Sequence, residues 1–182
     1  MKTKIILDTD PGIDDVFAIL FAEAHPDIEL KAITTVYGNV TIKDATHNAL
    51  YLKQKYQLNA DIVTGASKPL IRPPVGPTVV VHGEGGFGDV KVPAEVEGQA
   101  DPRPAYQYII DALKAEPGEI TLVAIGPLTN LALALQADPT IVDLVKEVVI
   151  MGGAFGENDH RGNVTPFAEA NLHDDPHAAD IV

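Results

Sequence analysis

The sequence predicts an α/β fold in which an open, mostly parallel sheet is covered by helices on both faces. Stretches rich in β-branched apolar residues alternate along the chain with segments whose apolar residues recur at helical spacing. The first stretch is apolar without interruption, as is typical of a strand buried on both faces. Strand, helix and strand in repetition form right-handed units with parallel strands. With 182 residues, 46% of them hydrophobic, we expect a single domain over residues 1–182.

Five strands are predicted from short apolar runs bounded by polar, Gly or Pro residues, at residues 4–7, 30–36, 62–64, 120–125 and 147–151. Four helices are predicted between them, at residues 14–24, 42–56, 105–115 and 128–136. Pro26 ends the first helix, and Pro117 with Gly118 closes the third. In the second helix the apolar and aromatic residues recur at helical spacing: Ala45, Ala49, Leu52 and Tyr56.

One region breaks this alternation. Residues 65–104 contain seven prolines and a cluster of four glycines at residues 83–88. A connection of this length without a clear period is usually functional or disordered. Residues 79–81, three valines, indicate some local order within it. At the end of the chain, residues 176–182 resemble the first turns of a helix.

Composition excludes several classes of function. The chain has 13 Lys and Arg against 26 Asp and Glu, a formal net charge of −13, and no basic run, which argues against binding to nucleic acid or an anionic membrane. Cysteine is absent, which excludes disulfides, thiolate metal sites and a cysteine nucleophile. Asp8 interrupts the first apolar run, and residues 16–22 are too few to cross a bilayer. We therefore expect a cytoplasmic protein without a signal peptide.

Four aspartates lie within eight residues at the end of the first strand: Asp8, Asp10, Asp14 and Asp15. So many like charges repel one another unless their pKa values rise or a cation binds among them. Hard oxygen ligands of this kind suit Ca²⁺ or Mg²⁺. Asp14 and Asp15 could instead serve only as a helix N-cap, but capping needs one carboxylate rather than four. The cluster therefore predicts a divalent-metal site.

Polar residues also follow the other predicted strands. Ligands of an open parallel sheet bind beyond the carboxyl ends of its strands, so topology brings these residues to one edge. They are Asn39 after the second strand, residues 126–130 after the fourth, and Asn163, Glu169 and Asn171 after the fifth.

Each of these residues also has an ordinary explanation. Asn39 after a glycine is commonly a turn residue, and the loop residues Asn163, Glu169 and Asn171 are unremarkable alone. Gly126 and Pro127 suit a strand-to-helix joint. His82 could contact a ligand or serve a turn, and Met151 at a strand end is more often a core residue. The remaining histidines are expected to be solvated: His25, His47, His160, His173 and His177.

Aspartates around a hard cation, with amide donors and a glutamate nearby, suit a polyhydroxylated ligand. Vicinal hydroxyls can complete a Ca²⁺ shell, which takes about six to eight oxygens. A water bound to such a metal is acidic, and a flanking aspartate can accept its proton. This indicates hydrolysis at a sugar carbon, with carboxylates stabilising an oxocarbenium-like transition state.

Residues 8–15, Asp-Thr-Asp-Pro-Gly-Ile-Asp-Asp, resemble the N-terminal signature of the inosine-uridine-preferring nucleoside hydrolases. Further blocks are similar to family blocks and follow in family order: residues 35–39 (Thr-Val-Tyr-Gly-Asn), 81–84, 124–131, 149–154 (Val-Ile-Met-Gly-Gly-Ala), 162–166 and 168–171. The resemblance extends to Val182. It implies a nucleoside hydrolase-like fold with a Rossmann-like core, tightly bound Ca²⁺, and hydrolysis of ribonucleosides to ribose and free base.

The resemblance also implies a role for each matching residue. Asp10 would bind calcium and act as general base on the attacking water, Asp15 would bind calcium through both carboxylate oxygens, and Ile125 would contribute its backbone carbonyl. Met151 would pack under the sugar, and His82 lies where the family approaches the base. The ribose hydroxyls would be held by Asp14, Asn39, Asn163, Glu169 and Asn171. The family is usually dimeric or tetrameric, so we expect a homo-oligomer of the full-length form.

Family members are longer, and their C-terminal part supplies a histidine that helps to protonate the leaving base and an aspartate that binds calcium. No segment of this chain matches that pair. We therefore expect a C-terminally truncated fold with a weakened metal site, no leaving-group acid and an uncovered sheet edge or core face. Activity of this chain alone is expected to be low or absent.

Two alternatives stay open. The first is a non-catalytic calcium- or ribose-binding remnant of such an enzyme, which would bind without turnover. The second is a phosphatase of the haloacid-dehalogenase type, since these also begin with a strand and Asp-x-Asp, here Asp8-Thr9-Asp10. That class needs a second acidic pair, for which only Asp174 and Asp175 are available, and residues 11–15 do not fit it.

Overall fold

The structure, a computed structural model, describes residues 2–157 and 160–182. Its strands are β1 (Thr3–Thr9), β2 (Ile28–Thr35), β3 (Asp61–Thr64), β4 (Ile120–Ala124) and β5 (Glu147–Ile150). They form one sheet in the order β3-β2-β1-β4-β5, with every neighbouring pair parallel. The predicted parallel sheet is confirmed, and each strand lies within two residues of its expected bounds.

The helices are α1 (Ile13–Ala24), α2 (Ile42–Tyr56), α3 (Val79–His82), α4 (Ala105–Ala115), α5 (Thr129–Ala137), α6 (Ala170–Asp174) and α7 (Pro176–Ile181), with a 3-10 helix at Pro139–Asp143. The four predicted helices and the helical start at Pro176 are confirmed. The three valines of the proline-rich segment form most of α3, which agrees with the local order expected there. α6 has only five residues, too few to show a helical period in the sequence.

Two apolar layers enclose the sheet, because successive side chains of a strand point to opposite faces. Ile5 and Leu7 of β1 belong to one core with Ile19 of α1 and residues of α2. Ile6, between them, belongs to the other core with Ile109 of α4 and residues of α5 and α7. The central strand is therefore buried on both sides, as its unbroken apolar sequence predicts.

β5 departs from this pattern. All four of its residues are exposed, including Val149 at 44% and Ile150 at 42%. Among the described residues it is an edge strand that pairs only with β4. Helices lie on both faces of the sheet as predicted, and the exposure of β5 among the described residues agrees with the expected uncovered sheet edge.

Within residues 2–157 and 160–182, no helix combines the length and the apolar character needed to cross a bilayer.

Candidate functional site

The strand ends form a continuous edge on which the predicted site residues can meet. Thr9 at the end of β1 is opposite Thr35 at the end of β2, and Ala124 at the end of β4 is opposite Ile150 at the end of β5. β1 and β4 are themselves neighbours. The loops that leave these four strands therefore emerge side by side.

The carboxylate of Asp10 follows β1 directly and is 1% exposed. Its Oδ2 accepts a hydrogen bond of 2.6 Å from the backbone N–H of Asn39, whereas its buried Oδ1 accepts none from the described residues. Burial, and next the charge of Asp15, raise the pKa of Asp10 well above its usual range. A buried oxygen without a partner is costly, so the site favours a proton or a cation at Asp10.

Two glycines make room for this carboxylate. A Cβ added at Gly38, after β2, would overlap Asp10 Oδ2, and one added at Gly126, after β4, would lie 2.8 Å from Asp10 Oδ1. Real Cβ atoms do not come so close. The sequence predicts for Gly126 mainly a strand-to-helix joint, and the structure shows that its backbone also packs directly on Asp10.

Asp15 lies beside Asp10 in the first turn of α1 and is 3% exposed. Its carboxylate accepts hydrogen bonds from Thr9 Oγ1 at 2.5 Å, from the Gly12 N–H at 2.9 Å and from Asn39 Nδ2 at 3.2 Å. The bond from Gly12 is the capping interaction that the sequence allowed as an alternative. Burial nevertheless raises the pKa of Asp15, so capping alone does not satisfy the charge.

The other two aspartates of the cluster point elsewhere. Asp8 accepts hydrogen bonds from Thr34 Oγ1 at 2.5 Å and Asn130 Nδ2 at 2.8 Å within the fold, and burial raises its pKa to about 7. The Asp14 side chain is 78% exposed. A metal site built from all four carboxylates is therefore not formed.

Asn171 of α6 connects the ends of β4 and β5. Its Nδ2 donates to the backbone oxygens of Ile125 at 2.9 Å and Met151 at 3.1 Å, and lies 3.3 Å from the Met151 sulfur. Met151 is 52% exposed at this edge, so it is not the core residue that its ordinary explanation required. These three residues, predicted from separate sequence blocks, are in direct contact.

Glu169 and Asn163 both precede the short helix α6. Glu169 is the N-cap of α6, and its carboxylate accepts from the N–H groups of Asn171 at 3.0 Å, Leu172 at 3.3 Å and Gly153 at 3.0 Å. Asn163 Oδ1 accepts from the Ala170 N–H at 2.9 Å. Both side chains therefore shape the loop after β5, which is the ordinary explanation that the sequence allowed.

Beside Glu169 a cleft of about 610 Å³ opens. Its other lining residues include Ile150, Gly152, Phe155, Phe167 and His173. Asp10 and Asp15 do not line it.

His82 brings the proline-rich segment to the site. It ends α3, is 8% exposed, and its Nδ1 accepts from the Ile13 N–H at 3.2 Å and lies 3.8 Å from Asp14 Oδ1. A Cβ at Gly12 would come within 2.6 Å of the same nitrogen. The expectation that the remaining histidines are solvated is wrong for His173, whose buried Nδ1 makes no hydrogen bond within the described residues and lies 3.7 Å from Asp174 Oδ1.

The oxygen atoms around Asp10 are carboxylate and carbonyl oxygens, the ligand type that a hard divalent cation prefers. They are the unpaired Asp10 Oδ1, the Asp15 carboxylate and the backbone carbonyl of Ile125, which precedes the Gly126 that packs on Asp10. Ca²⁺ takes about six to eight such ligands. In the described part of the chain, no group of three or more His, Asp or Glu side chains is arranged to hold a metal. The residues present can therefore supply only part of a coordination shell.

A buried polar network behind the site was not predicted from the sequence. Asp175, fully buried, accepts from Thr129 Oγ1 at 2.7 Å, from the Leu70 N–H at 2.9 Å and from the Ala178 N–H at 3.1 Å. It thereby fastens the start of α7 to the start of α5. Because this carboxylate is committed to the protein itself, Asp174 and Asp175 do not form the metal-binding pair that a phosphatase would need.

Comparisons with known proteins agree with this geometry. The family model described as "Inosine-uridine preferring nucleoside hydrolase" matches residues 5–182. An inosine-uridine preferring nucleoside hydrolase of Leishmania major is 47% identical over 100% of this chain and 57% of its own length. Uridine nucleosidase 1 of Arabidopsis thaliana is 44% identical over 98% of this chain and 52% of its own.

The fold has close counterparts among solved structures. A purine-preferring ribonucleoside hydrolase from Gardnerella vaginalis superposes with a TM-score of 0.92 at 36% identity, over 98% of this chain and 56% of that one. The chain thus spans little more than half the length of the relatives it matches. From strand order, site geometry and these matches together, the chain belongs to the inosine-uridine preferring nucleoside hydrolase family.

Proposed function

We propose that this chain carries the calcium- and ribose-binding part of an enzyme that hydrolyses the N-glycosidic bond of ribonucleosides to ribose and free base. The observation that carries the proposal is the buried, unpaired Oδ1 of Asp10, which lies beside a second buried carboxylate at the carboxyl edge of the sheet. Family membership supports the same reaction class.

Three groups would hold the cation: the carboxylates of Asp10 and Asp15 and the carbonyl oxygen of Ile125. When bound, Ca²⁺ would engage ribose hydroxyls and make a water molecule more acidic. Asp10 would bind the cation through Oδ1, which makes no hydrogen bond within the described residues, and its carboxylate would accept the proton of the attacking water. The water oxygen would then bond to the anomeric carbon, while the electron pair of the carbon–nitrogen bond passes to the leaving nucleobase, whose nitrogen takes up a proton from solvent.

The amide of Asn171 would orient the sugar; its contacts with the Ile125 carbonyl and with the exposed Met151, on which the sugar would rest, support this role. His82 would face the base from the opposite side, beside α1. The remaining residues proposed to hydrogen-bond the ribose hydroxyls are Asp14, Asn39, Asn163 and Glu169.

The proposed substrate class is ribonucleosides in general. The relatives' names include a uridine nucleosidase and a purine-preferring hydrolase. A cytoplasmic location stays a prediction.

The test combines calcium binding with ribose release. The chain is titrated with Ca²⁺ by calorimetry and then incubated with inosine, uridine and a chromogenic riboside. Asp10→Asn should weaken Ca²⁺ binding and reduce ribose release by about 100-fold or more, since it removes both a ligand and the base. Asp27→Asn, an exposed aspartate remote from the edge, is the matched control and should change neither.

A second candidate is a calcium- and ribose-binding domain without turnover. It uses the same buried carboxylates of Asp10 and Asp15 to bind the cation but needs no group that protonates a leaving base. Ca²⁺ binding that depends on Asp10, without ribose release, would support this candidate over the first. Absence of Ca²⁺ binding by the chain would contradict both.

A further inference from the structure

Asn48 of α2 joins two loops at the site. The first, the aspartate loop, comprises residues 10–15, and the second, the glycine loop, comprises residues 82–88 with four glycines. Asn48 is 2% exposed, and its Nδ2 donates to the Pro11 carbonyl at 3.3 Å and to the Gly85 carbonyl at 2.8 Å. A single amide therefore links the loop of the proposed cation ligands to the glycine loop.

These contacts require a carboxamide. Its nitrogen has two hydrogens, so it can donate to two carbonyl groups at once, whereas an ionised carboxylate or an apolar side chain can donate to neither. Both carbonyls lie outside the helices and strands. Asparagine is a poor helix former, yet Asn48 lies in the interior of α2. Such a conflict between local propensity and structure is typical of functional positions.

The glycine loop packs tightly on the aspartate loop. Gly86 has a φ of +85°, and a Cβ added there would lie 2.9 Å from the Pro11 carbonyl oxygen and 2.6 Å from Val40 Cγ1. The N–H of Gly88 donates to the His82 carbonyl at 2.8 Å, which closes the loop on itself. A displacement of this loop therefore also moves His82.

The His82 ring in turn contacts the start of α1. Its Nδ1 accepts the hydrogen bond from the Ile13 N–H at 3.2 Å. In the neutral ring the proton is then on Nε2, which leaves Nε2 as a donor for a ligand. Ile13 is the first residue of α1, so its N–H has no carbonyl partner within the helix. The exchange rate of this N–H therefore reports whether His82 is in place.

We propose that Asn48 is a positioning residue for the nucleobase side of the site. Its amide holds the glycine loop against the aspartate loop and thereby sets the place of the His82 ring. This inference rests on the proposed function, in which His82 faces the base. The aspartate loop has further supports, since its carboxylates also accept hydrogen bonds from the N–H groups of Gly12 and Asn39. Loss of the Asn48 amide should therefore disturb binding of the base more than binding of the cation.

Hydrogen exchange of the ligand-free chain, resolved by NMR, tests the positioning. In Asn48→Leu, whose side chain has the same branching and favours a helix, the Ile13 N–H should exchange about 10-fold faster or more, because His82 is released. Asn48→Ala, which removes the amide without adding volume, should have the same effect. Asn59→Leu is the matched control, since Asn59 is exposed in the loop before β3. It should leave this rate within about twofold, and circular dichroism verifies each fold.

Ligand binding in the presence of Ca²⁺ tests the consequence for the site. The probes are ribose and two ribonucleoside analogues whose base is joined through carbon and is not released by hydrolysis, pseudouridine and 9-deazainosine. Asn48→Leu should raise the Kd of both analogues about 10-fold and leave the Kd values of ribose and Ca²⁺ within about threefold. His82→Ala should raise the Kd of the analogues similarly. The double variant should add little to either, because coupled residues are not additive.

A second pair of variants tests the same contact from the glycine loop. Gly86→Ala should displace this loop and reproduce the effects of Asn48→Leu, whereas Gly85→Ala should not, because a Cβ at Gly85 meets nothing within 4 Å. Three results would overturn the proposal: an unchanged Ile13 exchange rate in the Asn48 variants, equal losses of affinity for ribose and for the analogues, and additive effects of Asn48→Leu and His82→Ala. An unaltered chain that binds neither Ca²⁺ nor ribose would contradict the proposed function instead, and the exchange rate of Ile13 would still decide whether Asn48 holds the loop.

Discussion

The two edges of the sheet carry charge in different ways. At the amino edge, Glu116 accepts hydrogen bonds of 2.5 Å from both Lys31 and Lys4, and these bonds hold its pKa below the usual value. At the carboxyl edge, Asp8 and Asp10 are buried, form no ion pair within the described residues, and have raised pKa values.

This difference separates a structural use of charge from a functional one. Partly exposed ion pairs such as those of Glu116 contribute little to the stability of the fold, so substitution of one partner costs little. Buried carboxylates without a counter-charge destabilise the ligand-free chain. Their concentration at one edge is the physical sign of a binding site, because a bound cation would remove the penalty.

The largest expected effect tests how tightly the carboxyl edge is packed. Gly38→Ala should destabilise the chain by more than about 3 kcal/mol, because the added Cβ overlaps the buried Asp10 carboxylate. Denaturant unfolding measures the change. Gly85→Ala is the matched control, since a Cβ there meets nothing within 4 Å, and it should shift stability by less than about 0.5 kcal/mol. Equal effects of the two variants would contradict the close packing of this edge.

The next effect is a pH dependence of the calcium-free protein. Burial raises the pKa of Asp8 from 3.8 to about 7 in the folded chain, so between these values the folded state binds more protons than the unfolded state. Stability should therefore fall as pH rises from about 4 to about 7, by up to about 1.4 kcal/mol per pH unit from this group.

Urea unfolding in a chelator at about pH 5, 6 and 7 measures this slope. Asp8→Asn should flatten it, because the amide does not titrate. A slope that is unchanged in Asp8→Asn would show that Asp8 does not titrate in this range.

A smaller effect distinguishes function from stability at Asp10. Without Ca²⁺, Asp10→Asn should stabilise the chain by about 1–2 kcal/mol near neutral pH, since it removes a buried and uncompensated charge. The same variant should lose the rise in melting temperature that Ca²⁺ gives to the unaltered chain. A lower stability in the chelator would mean that the carboxylate supports the fold rather than a ligand.

The smallest effect belongs to the amino edge. Glu116→Gln should reduce stability by less than about 1 kcal/mol, because its partners are partly exposed and solvent screens the pairs. Thermal unfolding at low and high salt measures it, with the difference shrinking at high salt. A loss as large as that of Gly38→Ala would remove the distinction between the two edges.

Local sequence signals were sufficient for most of the fold and for the grouping of polar residues at the carboxyl edge of the sheet. Apolar runs located all five strands, and the rule for strand ends correctly grouped Asp10, Asn39 and Gly126. The different contacts of the neighbouring aspartates were not predictable from the sequence. Asp8 is drawn into the fold by Asn130, more than a hundred residues away in the chain, whereas Asp14 faces solvent. Such differences arise from packing between distant segments, which no local period encodes.

The contacts of Asn171 have a consequence for the order of events at the site. The N–H groups of its carboxamide donate to the Ile125 and Met151 carbonyls, so in this arrangement only its Oδ1 can bond to a sugar hydroxyl, as an acceptor. To donate to a sugar oxygen instead, the amide would have to exchange one hydrogen bond for another, at small net cost. A cation bound to the Ile125 carbonyl oxygen would displace the hydrogen bond from the Asn171 amide. Binding of the metal would therefore leave this amide available to the sugar that binds next.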